Sequence, residues 1–577
     1  MLARRGSGQL QVKLMPTSYK DAGVSSPFRP ITPQARDQSV CTPEKQSSEL
    51  WIALFLFVIT CAYLFLFRRY TTMDPDEGIV LQGAQRLLRG EAPYRDFFSF
   101  ITPGSYYLLA GLFKIFGSSL LVGRTALVFS GGVFSVVTYL LARRVCLRWS
   151  ALLTAAIVTV SCMPYRFLVL HNWDSTLWAC LAVYCAVRLL EFPHWIWAFG
   201  AGSFASLTFL FEQSKGAGLI LGLGVGFLAV AVLDRQKTSI NRATVAGAMI
   251  GLAWPLMATF AYFSAVHGLS SMLADWLWPL RHYHVPNRVP YGFQDLSDGT
   301  REMLLNGGPW VVRVVTWLTL SPCFLVPVLP LIAVGLLAYW SVQMWRRRAA
   351  QKKCAHYILM SATLAGLLFS VVIVRADIIH FMYLEPLFAV VLAWIIDGRD
   401  IPSQTFRAAQ PVLNAFLAAA FLAMSMALLI RTVNAPYEME TRRGLVRMPG
   451  QDTVVEYVQQ HVGAGETILV YPYLPLYYYL TATYSPSRYE YLQPGLHTVE
   501  QSREMLSQLD SRRVRAVLFE PSFADKIPAS WPETPPIAIA NDPVADYILR
   551  NYRACKVLYS PMQWRFLYML RKDISCD

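Results

Sequence analysis

Apolar and polar positions in this chain come in long blocks rather than in the mixed pattern of a soluble domain. Apolar runs lie at 51–67, 124–142, 150–167, 173–190, 195–212, 216–233, 243–266, 310–343, 355–374, 377–396 and 409–430. Most approach the roughly 20 residues that a helix needs to cross a bilayer, so the pattern predicts about eleven transmembrane helices. The run at 310–343 holds Pro322, Pro327 and Pro330 and is a candidate for a broken or re-entrant piece. Orientation follows from the basic loops. Arg143, Arg144 and Arg148 lie between the second and third runs. Arg235, Lys237 and Arg242 follow the sixth, and Arg346, Arg347, Arg348, Lys352 and Lys353 follow the eighth. With a cytoplasmic N-terminus these loops share the cytoplasmic side. An odd number of spans then puts the C-terminal region outside. Arg68 and Arg69 run against the rule, at the start of a long outer loop.

The two ends differ from the middle. Residues 1–50 are polar and rich in Ser, Pro and Gln, without the apolar core of a signal peptide. They read as a disordered cytoplasmic tail. Residues 51–431 form the transmembrane part, with a first outer loop at 68–123. From 432 the pattern changes again. Thr453–Val462, Gln501–Leu509 and Val544–Arg550 read as helices. Thr467–Tyr471, Arg515–Phe519, Lys556–Tyr559 and Phe566–Leu570 read as strands. This alternation predicts a small extracytoplasmic α/β domain over 432–577.

Composition sharpens the class. Hydrophobic residues make up 55% of the 577 and charged residues only 15%, against about 25% in soluble domains. That excludes a disordered chain and argues against an ordinary soluble enzyme. The net charge is 51 − 37 = +14. In a membrane protein this excess sits in cytoplasmic loops and beside anionic headgroups, so no nucleic-acid partner is inferred. The ten Cys form no CxxC pair and no Cys/His cluster with metal spacing, so neither a zinc site nor a disulfide framework is expected. Cys555 and Cys576 alone lie in a polar C-terminal stretch, and a bond between them is not expected.

The densest chemistry is in the first outer loop: Asp74-Pro75-Asp76-Glu77-Gly78, then Arg89-Gly90, then Pro93-Tyr94-Arg95-Asp96-Phe97-Phe98, then Pro103-Gly104-Ser105-Tyr106-Tyr107. Val80, Ala84, Leu87 and Leu88 recur at helical spacing, with Gln82, Gln85, Arg86 and Arg89 opposite. This is an amphipathic helix suited to the membrane interface, and a second short one is expected over 104–116. Capping accounts for part of the acidic cluster. Asp74 fits an N-cap, Pro75 the first helical position, and Glu77 a capping-box partner. Asp76 is explained less well. A carboxylate at the interface can take a proton from an acceptor hydroxyl. Cations such as Arg95 can stabilise charge on a departing phosphate. Tyr94, Phe97 and Phe98 are candidates to line a sugar or lipid.

These motifs resemble the first loop of membrane glycosyltransferases of the GT-C fold. The resemblance is to the bacterial branch grouped with protein O-mannosyltransferases and the lipid A aminoarabinose transferase (glycosyltransferase family 39-like). It covers residues 50–430 in layout and is specific mainly in 74–125. It implies eleven or more spans, two interfacial helices in the first outer loop, and an outward-facing active site. It implies a sugar donor on a polyprenyl monophosphate. The expected base is an acid of the Asp76-Glu77 pair, with Asp76 favoured. The Lys-Pro-Pro element of the aminoarabinose branch is absent; Thr102-Pro103-Gly104 stands there. The resemblance assigns no metal ligand.

Further candidates follow the same logic. Asp174, in His171-Asn172-Trp173-Asp174, reads as a helix N-cap or as an acceptor or sugar contact. Lys215, in Glu212-Gln213-Ser214-Lys215, reads as a snorkelling cation or a phosphate ligand. Arg375-Ala376-Asp377 and His380 join two apolar runs, where charge is costly. An internal Arg375–Asp377 pair and a donor-phosphate contact by Arg375 or His380 are both open. Arg281, His282, His284 and Arg288 read as a headgroup-facing loop or a lid. Tyr471-Pro472-Tyr473 with Tyr477, Tyr478 and Tyr479 reads as core or as a stacking surface.

The expected function is transfer of a sugar from a polyprenyl-phosphate donor to a glycan, lipid or protein acceptor on the extracytoplasmic face. Asp76 would be the base and the anomeric centre would invert. Tyr94, Arg95, Asp96, Asp174, Lys215, Arg375 and His380 are the donor or acceptor contacts. A divalent metal is compatible with this chemistry but not required by it. The expected setting is the plasma (inner) membrane, crossed many times. The rival is a transporter or flippase for lipid-linked or small anionic substrates, a class often marked by repeats that this sequence does not show.

Overall fold

The computed structural model describes residues 43–233, 241–294, 296, 298–346, 351–401, 403–491, 493–562 and 564–576. Most of the N-terminal tail lies outside these residues, as do Arg235, Lys237, Arg347 and Arg348. Of the Met1–Leu50 unit, residues 43–50 are described and are helical. Residues Trp51–Asp577 form one compact unit.

The apolar runs are helical. Among the described residues, seven helices are long and apolar enough to cross a membrane: Ser48–Phe67, Leu120–Ala142, Gln213–Leu233, Arg242–Ala265, Val328–Trp345, Lys352–Val374 and Gln404–Val433. Trp195–Phe211 and Trp310–Leu325 are shorter apolar helices. The run at 310–343 divides at Val326-Pro327, where proline interrupts the backbone ladder. The run at 377–396 divides at Leu384 into Ile378–Tyr383 and Glu385–Asp397. Glycine allows some helices to touch backbone to backbone. A Cβ on Gly218 would sit 2.4 Å from the Gly366 carbonyl oxygen. Small residues at such crossings let helices approach closely in a membrane.

The first loop holds the expected helices, Pro75–Leu88 and Gly104–Phe116. The first of them does not lie with its polar side in water. Residues Glu77–Arg86 are buried. Gln82 donates to Glu490, Arg86 pairs with Glu490 at 3.1 Å, and Arg443 donates to Gln85. The polar face is therefore covered by the C-terminal region.

That region carries two sheets. A hairpin pairs β1 (Tyr437–Thr441) with β2 (Gly444–Met448). A four-stranded sheet is built from β3 (Leu469–Tyr471), β4 (Ala516–Phe519), β5 (Tyr552–Tyr559) and β6 (Arg565–Arg571), in the order β3-β4-β6-β5. β3 and β4 are parallel and the other pairs antiparallel. Helices Thr453–His461, Val499–Arg512 and Pro543–Asn551 match those read from the sequence. Cys555 and Cys576 are bonded, with Cα atoms 5.5 Å apart. This corrects the expectation of no disulfide: the end of the chain folds back beside β5, which the residue pattern does not reveal. Helix Pro475–Thr481 packs on Pro75–Leu88 so closely that a Cβ on Gly78 would fall 2.0 Å from the Leu476 nitrogen.

Candidate active site

Asp74 begins the helix Pro75–Leu88 as its N-cap and accepts from the Asp76 N–H at 3.0 Å. This places Asp76 in the first turn with its side chain 41% exposed. One oxygen of Asp76 accepts from Arg166 Nη2 at 2.7 Å. The other accepts from the Tyr473 hydroxyl at 2.7 Å. The same Arg166 nitrogen also reaches both oxygens of Asp74, at 3.0 and 2.9 Å. Burial pushes the Asp74 carboxyl up to about 6, against the pull of Arg166.

Glu77 has a different role from its neighbour. Its side chain is fully buried and takes two bonds from Arg124, at 2.9 and 2.6 Å. It also accepts from the Val169 N–H at 2.9 Å. Arg124 donates further to the carbonyls of Arg68 and Tyr70. Glu77 therefore makes no capping box; it ties the loop to the helix Leu120–Ala142 and to the segment ahead of His171. With no exposed oxygen, it is not placed to take a proton from a substrate.

Several groups converge on Asp76. It interacts electrostatically with His171, Tyr283, Tyr383 and Tyr473. Tyr283 in turn faces Arg375 and Asp377. Asp377 caps the helix Ile378–Tyr383 and accepts from Arg375 at 2.5 Å and from the His380 ring at 2.6 Å. Arg375 also donates to Asn287 and to the Ser530 carbonyl. His380, Tyr383, Asn172, Glu212 and Lys215 line one cleft. Arg375 and His380 share neighbours with Asp76: Tyr283 interacts electrostatically with both Asp76 and Arg375, and His171 with both Asp76 and His380; the internal Arg375–Asp377 pair is also present.

The remaining sequence candidates are placed otherwise. Tyr94 is fully buried, donates to the Ile101 carbonyl and accepts from Trp276. It holds the loop, and Phe97 and Phe98 are core as well. Arg95 pairs with Asp96 at 2.7 Å and donates to the Val266 carbonyl. These bonds tie the pair to the 266–268 turn. Lys215 is buried, paired with Glu212 at 2.9 Å, and donates to Asn172, Ser175 and Thr176. Its three N–H groups are already engaged, so it braces the cleft wall. Asp174 lies inside the first turn of His171–Glu191 rather than at its cap, and accepts from Ser105 at 2.6 Å. Tyr477, Tyr478 and Tyr479 are buried core, while Tyr473 alone of that cluster reaches Asp76. Arg281, His282, His284 and Arg288 are exposed.

Sequence reasoning missed Arg166, His171, Tyr283, Tyr383 and Tyr473 as a group. Arg166 ends an otherwise apolar run, which is a costly place for a charge. Among the described residues no three His, Cys, Asp or Glu side chains are grouped to hold a metal. The paired carboxylates Asp74 and Asp76 share the Arg166 guanidinium.

Residues 101–263 match the family model described as dolichyl-phosphate-mannose-protein mannosyltransferase. No curated protein matches the sequence at a significant level. The oligosaccharyltransferase of Archaeoglobus fulgidus, solved in complex with zinc and sulfate, is similar at a TM-score of 0.50 and 13% identity, over 89% of this chain and 72% of that one. ArnT from Cupriavidus metallidurans, solved bound to undecaprenyl phosphate, is similar at a TM-score of 0.49 and 11% identity, over 92% of this chain and 98% of that one. The chain has the GT-C fold and resembles the mannosyltransferase family across the first-loop end of its membrane part.

Proposed function

We propose that this protein is a multi-pass membrane glycosyltransferase that uses a polyprenyl-phosphate sugar donor. The observation that carries the reading is the half-exposed carboxylate of Asp76, fixed by Arg166 and Tyr473 at the start of the first-loop helix. The family that matches residues 101–263 is named for mannose on dolichyl phosphate, a sugar on a lipid monophosphate.

Asp76 accepts the proton of the acceptor hydroxyl as its oxygen attacks the anomeric carbon. The bond from that carbon to the phosphate oxygen breaks, and its electron pair leaves with the polyprenyl phosphate. One displacement inverts the anomeric centre. Arg375 and His380 meet the charge that grows on the phosphate. Asp377 orients both. The site faces the extracytoplasmic side of the inner membrane, with the N-terminus cytoplasmic and residues 432–577 forming an extracytoplasmic domain. The acceptor is a glycan, lipid or protein.

The test uses purified full-length protein, a panel of radiolabelled polyprenyl-phosphate sugars, and membrane extract as acceptor source. Release of polyprenyl phosphate that is lost in Asp76→Asn supports the reading and names the donor. Release unchanged in Asp76→Asn removes Asp76 as base. Absence of release from every donor favours the transporter.

A further inference from the structure

Tyr473 belongs to the C-terminal region, almost 400 positions from the carboxylate it touches (|i−j| = 397). It follows β3, is 9% exposed, and its ring packs against Phe523 with centroids 6.1 Å apart. Its hydroxyl is the donor to one Asp76 oxygen, and Arg166 is the donor to the other. Two donors on two oxygens fix the plane of a carboxylate. We infer that Tyr473 is a positioning residue for the reaction: the C-terminal region supplies the hydroxyl that holds the Asp76 carboxylate aimed at the acceptor. This inference rests on the reading of Asp76 as the base.

Asp74 stands beside Asp76 on the same turn, and Arg166, beyond the helix Arg148–Tyr165, is shared between both acids. His171, Tyr283 and Tyr383 interact electrostatically with Asp76 from three further elements. Tyr473 is the neutral donor bonded directly to it. Without that bond the plane of the carboxylate is held from one side only.

The experiment measures kcat and KM separately for the full-length protein, with radiolabelled mannosyl polyprenyl phosphate as the donor and membrane extract as acceptor source. Tyr473→Phe should lower kcat by about tenfold, the loss of one hydrogen bond to a charged group, with the donor KM and the melting temperature near those of the wild type. A purely structural role would instead lower kcat, donor affinity and melting temperature together. If Tyr473→Phe does not fold, Tyr473→3,5-difluorotyrosine, which keeps the size and the hydroxyl but alters its strength as a donor, should change kcat alone, and an unchanged kcat overturns the inference. If Asp76→Asn is inactive and Tyr473→Phe keeps the wild-type kcat, or loses kcat, donor affinity and melting temperature together, the inference falls and the base stands. If the wild type releases nothing, or Asp76→Asn matches it, the reading of Asp76 falls and the inference with it.

Discussion

Replacing Glu77 by Gln should unfold this protein far more readily than replacing its neighbour Asp76 by Asn. Glu77 and Arg124 are both fully buried, and the pair is closed by bonds of 2.9 and 2.6 Å. Removing one charge of such a pair strands the other and costs about 3–5 kcal/mol. That is a large share of the roughly 5–15 kcal/mol by which domains are stable. Glu77 also holds the Val169 N–H, so the segment carrying Arg166 loosens as well. Asp76 is 41% exposed, and Arg166 keeps Asp74 when Asp76 is neutralised. The cost there is about 1 kcal/mol, the scale of a partly solvated pair. Thermal unfolding in detergent, followed by labelling of the buried free thiols of Cys162 and Cys180, reads both variants. Glu77→Gln should expose these thiols at a clearly lower temperature and Asp76→Asn near the wild-type one. Adding Arg124→Met to Glu77→Gln should recover only part of the loss, because Arg68 and Tyr70 lose their donor. Equal midpoints for Glu77→Gln and Asp76→Asn would refute the division of labour between them.

Lys215→Met should cost stability without raising KM for a lipid-phosphate donor, because Lys215 is fully engaged by Glu212, Asn172, Ser175 and Thr176; Arg375→Ala should raise that KM by about tenfold, the loss of a charge-assisted bond. Burial pushes the Asp275 carboxyl up to about 7, with only the Ser99 N–H and Arg488 pulling the other way. A carboxyl raised in the folded state contributes stability below its unfolded value that is lost as pH rises through 7. Asp275→Asn should therefore gain in melting temperature relative to wild type at pH 8 and not at pH 4. The Cys555–Cys576 bond closes a loop of 21 positions and should stabilise the C-terminal sheet by about 3 kcal/mol; alkylation without reductant should leave both sulfurs unlabelled, and Cys576→Ser should lower the melting temperature.

The parts of this fold that depend on one segment alone were legible in the sequence. The apolar runs are helices, and the C-terminal helices and strands fall within a few residues of their predicted places. The Asp74 cap followed from local chemistry. Partners distant in the chain were not legible. Gln82, Arg86 and Arg89 look like the wet face of an interfacial helix until Glu490 and Tyr484 are seen to cover it. Tyr94 and Arg95 look like ligands because they stand in the motif, yet one holds a turn and the other pairs with Asp96. Among the described residues four of the eleven runs lack a helix long and apolar enough to span: the run at 377–396 is broken at Leu384, Trp195–Phe211 is short, and the helices Arg148–Tyr165 and His171–Glu191 are not apolar enough.

The covered helix explains why the site needs the whole unit. Asp76 is held by a guanidinium from the membrane part and a phenol from the C-terminal part. Arg375 is likewise shared, between Asp377 in the membrane part and the Ser530 carbonyl beyond β4. Gly78, two residues past Asp76, admits the Leu476 backbone, which a larger residue would exclude. The C-terminal region is thus docked at Asp76 and again at Arg375, and both contacts pass through the first turn of one helix or the loop beside another. A change that lifts this region should disturb both side chains together, whereas Asp76→Asn or Arg375→Ala should disturb one and leave the other in place.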